Sequence, residues 1–154
     1  MPWSNECSIN TVTYSVFRSV ENYNSYVHIM KYLYLASNDS LRFHPLNSSW
    51  DYTVELPQTL LGTWKCALGE IRFSNSLDQD IYVFADICET SLIKDAYLPI
   101  LRTVKKPGEI ITPYFMDMSR TNIQRIRIYL RDSQLHTPEY DIGTVTCTIL
   151  LQPA

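Results

Sequence analysis

The sequence predicts an antiparallel all-β sandwich, and three observations carry that prediction. Segments of strict period-2 alternation recur along the chain, clusters of turn-forming residues separate them, and no amphipathic helical pattern of ten residues or more intervenes. Only four glycines occur in 154 residues, and the regular exchange of helix for strand that an α/β architecture needs is absent. A hydrophobic content of 45% over this length is enough to close one core, so a single domain is expected.

Taken in order, residues 1–29 differ in character from the rest. INTVTYSVF has strand character, but ENYNSY behind it is polar and aromatic without a period, so this span is expected to be an N-terminal arm or an extra strand. An arm gains affinity by adding main-chain hydrogen bonds to a neighbour's sheet edge, whereas an extra strand is tied into its own sandwich. As an arm, the span is expected to contribute to subunit contacts more than to the fold.

Residues 30–154 form the domain. Eight strands are expected, near 30–37, 50–56, 63–73, 80–88, 98–105, 111–118, 123–131 and 142–151, and eight is the strand number of a jelly roll. Trp50, Tyr52, Val54 and Leu56 share one face of the second strand, which Pro57 is expected to close. Ile126, Ile128 and Leu130 alternate with Arg125, Arg127, Tyr129 and Arg131, and Val145, Cys147, Ile149 and Leu151 alternate with threonines. Pro107-Gly108 is the strongest turn signal, because proline presets the first central residue and glycine accepts a positive φ at the second. One short turn of helix is expected over residues 89–96.

Composition excludes several functions. A net charge of −3, with charges dispersed along the chain, gives no electrostatic case for nucleic-acid binding. Cys7, Cys66, Cys88 and Cys147 have neither metal-like nor CxxC spacing and are expected to be reduced, structural thiols. His28, His44 and His136 are scattered, with no pairing that brings two nitrogens to one metal, so no metal or cofactor is expected. Asp78, Asp80, Asp86 and Glu89 make the densest acidic stretch but flank turns and strand ends, where carboxylates cap backbone groups. No nucleophile elbow or phosphate-cradling glycine loop is present, and the chain is not expected to be an enzyme. The start of the chain lacks the apolar run of a signal peptide and no stretch reaches transmembrane length, so synthesis in the cytoplasm is expected, no membrane partner is implied, and the sequons at Asn38 and Asn47 read as chance occurrences.

Three blocks of sequence carry a family likeness. The first contains Tyr34, Leu35, Ser37, Asn38 and Ser40, then Pro45, then Leu56 and Pro57, then Gly62, Trp64, Ala67, Leu68, Glu70 and Ile71. The second contains Asp86, Asp95, Pro99, Leu101, Arg102 and Val104. The third is IQRIRIYLRDSQ followed by IGTVTCTILL. In pattern and order these blocks resemble the jelly-roll capsid proteins, of the minor or penton type, encoded by Polinton/Maverick elements and the related adintoviruses. Only residues 72–80 separate the first block from the second, where longer relatives carry an insertion, so any role of that insertion is not implied here.

The resemblance implies a virion protein whose function is assembly: a homopentamer that seals a vertex against the major capsid protein, made in the host cytoplasm and assembled there or in the nucleus. Eleven tyrosines and three tryptophans exceed what one small core hides with every polar group satisfied, and interfaces favour such residues. Tyr23, Tyr26, Tyr97, Tyr114 and Phe115, in the arm or beside turns, are the expected subunit-contact residues. The alternative from a different class is a β-sandwich receptor- or ligand-binding module, such as a spike or attachment domain. A cupin-like enzyme is more remote, since it needs a histidine-rich metal cluster.

Overall fold

The computed structural model describes residues 9–16, 26–74 and 79–154 of the chain. Those residues form an all-β structure without a helix. The strands are β1 (Ile9–Val16), β2 (Tyr26–Ala36), β3 (Asp51–Leu61), β4 (Trp64–Arg72), β5 (Ile81–Ala85), β6 (Ser91–Ile93), β7 (Ala96–Leu98), β8 (Ile100–Val104), β9 (Gly108–Glu109), β10 (Met116–Asp117), β11 (Asn122–Arg131) and β12 (Thr146–Pro153).

Two antiparallel sheets hold most of them. One has the order β1-β2-β12-β4-β10, with β9 also paired to β4, and the other has the order β3-β11-β5-β8. The pairing is nested: β2 pairs with β12, β3 with β11, β4 with β10, and β5 with β8. Both sheets turn their alternate apolar residues inward onto one core. Leu33, Leu35, Cys66, Leu68, Cys147 and Ile149 come from the first sheet, and Tyr52, Val54, Val83, Ile126, Ile128 and Leu130 from the second. The alternation read from residues 126–131 and 145–151 is therefore the core face, with Ile126, Ile128, Leu130, Val145, Cys147 and Ile149 fully buried.

Several boundaries differ from the sequence expectation. Pro57 does not end its strand: β3 continues to Leu61, because the ladder with β11 shifts between the Arg125↔Glu55 and Ile123↔Leu60 pairs. That irregularity seats a proline where no ladder donor is needed. Residues 89–96 make no helical turn. They build the β6–β7 hairpin around Lys94 and Asp95, whose φ values of 44° and 65° give the doubly left-handed two-residue turn that matches strand twist. Residues 111–118 are not one strand, since only Met116–Asp117 pairs with β4 and the segment containing Pro113 arches outward. The last strand starts at Thr146 rather than near residue 142.

At the expected Pro107-Gly108 turn the chain only bends over residues 105–107, and Gly108, at φ +143°, is already the first residue of β9. At the other end of the domain Gly143, at φ +72°, lies so close to Ser74 that an added Cβ would stand 2.8 Å from its hydroxyl. In the N-terminal span, β1 runs antiparallel to β2 from Ile9↔Leu33 to Val16↔Tyr26, and β2 already begins at Tyr26. Tyr23, Cys7 and Asp78 lie outside the described residues.

Candidate interaction surfaces

The outward face of the β3-β11-β5-β8 sheet carries the arginines of β11, each set against a carboxylate. Arg127 donates two hydrogen bonds to Asp51, at 2.9 and 2.7 Å, and Arg131 reaches the same carboxylate at 3.4 Å. Arg125 lies 3.4 Å from Glu55, and Arg120 lies 3.4 Å from Asp86. Burial pushes the Asp51 carboxyl up, but the hydrogen bonds and charges of Arg127 and Arg131 outweigh it and hold it below the ordinary value. At Asp86 the balance is reversed: burial raises it despite bonds from the Arg127 amide and the charges of Arg120 and Arg127. These arginines are thus committed to carboxylates of their own chain rather than held open for phosphate.

The same two β11 arginines lie over the ring of Tyr129, at 4.7 and 4.9 Å from its centroid. Tyr129 in turn stacks on Phe84 at 4.8 Å with the planes 13° apart, and Tyr82 meets the other side of Phe84 edge-on. Phe84 is fully buried yet stands outside the main core, on the outer surface of its sheet. Cation–π contact and ring stacking build a second small cluster there, which the alternation pattern alone did not reveal. A long hydrophobe at an outward position of β5 is the signal for it.

The expected contact residues are distributed over separate places. Tyr97 is exposed on β7, directly across from exposed Leu92 on β6, so the hairpin presents an uncovered apolar pair. Tyr114 is exposed and Phe115 half-buried in the segment between β9 and β10. Tyr26 opens β2 opposite Val16. Among the described residues they thus belong to three different elements, β2, β7 and the segment between β9 and β10.

Two further surfaces escaped sequence reasoning. The first is a groove of about 320 Å³ on the outer face of the β2-β12-β4 sheet. Its floor is Gly69, Thr148 and Leu150, and Tyr32 and Tyr34 wall one side. Opposite them rise Ile110, Ile111 and Pro113, held in place by pairing of β9 with β4 and by the Ile110 amide donating to the Gly69 carbonyl at 2.8 Å. Gly69 is the extra residue of a β-bulge opposite Thr148 and Ile149, and a Cβ there would come within 2.8 Å of Leu150. Two carboxylates, Glu70 and Glu109, edge the groove, and Glu70 is met by Arg72 at 2.6 Å.

The second surface is the loop between β2 and β3. Asn47 ties it together, donating to the carbonyls of Asp39 and Thr53 and accepting from the Thr53 amide. Ser40 accepts from the Glu55 amide at 2.9 Å, and His44 lies 2.7 Å from the Glu55 carboxylate. Asp39 folds back onto the Ala36 amide, and its burial raises its carboxyl above the ordinary value. From this internally bonded loop Leu41, Phe43 and Leu46 project into solvent, with exposures of 46%, 65% and 93%.

Cys66, Cys88 and Cys147 are buried free thiols, with the Cys66 and Cys88 sulfurs 3.5 Å apart. Among the described residues no group of three or more His, Cys, Asp or Glu side chains is arranged to hold a metal ion. Nor is any helix there long and apolar enough to cross a membrane. No protein-family model matches the chain, and no curated protein matches it.

Proposed function

We propose that this chain is a structural capsid protein: a single jelly-roll subunit of the minor, penton-like kind, which associates with copies of itself into a vertex capsomer beside a major capsid protein. The observation that carries the reading is the nested pairing of strands. Pairing of the first strand of the domain with the last, the second with the next to last, and so on inward, is what a long hairpin rolled into two facing sheets would give, and so it supports a jelly-roll reading. β6 and β7 are then an ornament between the strands of the innermost pair, and β1 an added edge strand beside β2.

The surface supports an assembly role. Bulky apolar side chains stand exposed on the β2–β3 loop, on the β6–β7 hairpin and at Ile111 and Tyr114, while the arginines of β11 are neutralised within the chain. Such scattered apolar projections on rigid elements suit protein contacts better than nucleic acid. Fivefold closure follows if the contact is head-to-tail and its rotation closes.

Sedimentation velocity combined with negative-stain microscopy of the purified chain tests this reading. Closed fivefold rings are the expected result. A monomer at every concentration, with affinity for a glycan, would favour the attachment-module alternative instead.

A further inference from the structure

We propose that the β2–β3 loop of one subunit docks into the outer-face groove of a second copy, so that Phe43 and Leu46 fill the groove and Arg42 meets Glu109. The inference rests on the assembly reading above and names the two surfaces that meet.

The loop is convex, apolar and pre-organised. Leu41, Phe43 and Leu46 occupy six residues of sequence and all project, although the backbone beneath them is fixed by the bonds of Ser40, His44 and Asn47. Holding a large hydrophobe rigidly in water costs free energy in the lone molecule and lowers the ordering cost of binding, the pattern of an anchor residue. Arg42 is exposed beside them, its guanidinium 5.9 Å from the Phe43 ring centroid. Among the described residues it has no carboxylate partner.

The groove is the complement in shape and charge. It is concave, with Leu150 and two tyrosine rings inside and Ile111, 94% exposed, on its lip. Its charged lining residues are both acidic: Glu70 is taken by Arg72, whereas Glu109 has no cation against it among the described residues. An unmatched cation therefore sits on the protrusion and an unmatched anion at the recess.

The loop is bonded to β3 of one sheet, and the groove lies on the outer face of the other. A contact of loop to groove between two copies is heterologous, leaving one free loop and one free groove at its ends, and so it propagates until a ring closes.

The test uses the full chain with Phe43→Glu, which spoils the loop, and Ile111→Asp, which spoils the groove. Both sites are exposed, and unchanged thermal transitions confirm folding. Each variant alone should lose rings, its association weakened by about tenfold or more. Mixed in equal amounts, they should form a 1:1 dimer and nothing larger, because only the Ile111→Asp loop and the Phe43→Glu groove remain intact. In a parallel arm, Arg42→Glu and Glu109→Arg should each weaken association, and the double reversal should restore it. Loss of rings by Phe43→Glu but not by Ile111→Asp would mean that loops meet loops, and would overturn the proposal. Rings in both variants would overturn it while leaving the capsid reading standing. A wild-type chain that never self-associates would overturn both.

Discussion

Asp51 shows how much of this surface depends on single side chains. It receives two arginines from β11, and its lowered carboxyl value means that the interaction stabilises the fold above the ordinary value of 3.8 and is lost as pH falls through the lower folded value. Asp51→Asn is therefore expected to destabilise the protein by about 0.5–1 kcal/mol at pH 7, the modest size reflecting solvent screening of a half-exposed pair. The gap between wild type and variant should close in acid, and urea titrations across pH read it directly. A gap that does not change with pH would assign the loss to packing instead. The thiols give a second test at this scale. Burial pushes the Cys147 thiol up to about 12, and Cys88 is raised by its hydrogen bond with Cys66 and by burial. All three described cysteines should resist alkylation in the native protein and react after denaturation, as intact mass would report. The burial of Cys147 was readable from the alternation of Val145, Cys147, Ile149 and Leu151. The pairing of Arg127 with Asp51 was not, because it depends on strand register between residues far apart in sequence.

Among the elements, β11 and the stretch from Trp50 into the first half of β3 show the apolar alternation expected of them, with Ile126, Ile128 and Leu130, and Trp50, Tyr52 and Val54, all buried. The misreadings fall where local chemistry admits two answers. A proline commonly ends a strand, yet the irregular ladder opposite residues 56–59 lets β3 pass through Pro57. Lys-Asp is not a typical hairpin dipeptide, so the turn at 94–95 was invisible to a reading keyed to Asn-Gly, and both residues bear left-handed backbone angles at a cost. Replacing Lys94-Asp95 by Asn-Gly should relieve that cost, stabilising the fold by about 0.5–1 kcal/mol. The thermal transition should rise by about 2–4 °C for each kcal/mol. No rise, or a fall, would mean that the hairpin is held by something other than its turn. A strand was expected near residues 111–118, and only Met116–Asp117 of that span pairs. Its apolar residues divide, Ile111 and Tyr114 standing exposed while Met116 and Met118 pack against the core, and sequence pattern does not tell an outward hydrophobe from an inward one.

For the whole molecule, the described strands pair in a nested order, β2 with β12, β3 with β11, β4 with β10 and β5 with β8. Turn signals between alternating segments predict an antiparallel all-β chain, and the described strands lie in antiparallel sheets, two of which share one core. The groove belongs to this scale, since β2, β4, β12 and the segment after β9 all contribute to it and no local stretch contains its pattern. Assembly is the proposed function, and the all-β fold and the exposed apolar projections are what support it. Native mass spectrometry of the purified chain tests it most directly. The expected species is a homopentamer, with five times the mass of the 17.9 kDa chain, dissociating on dilution into single subunits. A single 17.9 kDa species at all concentrations would contradict the account.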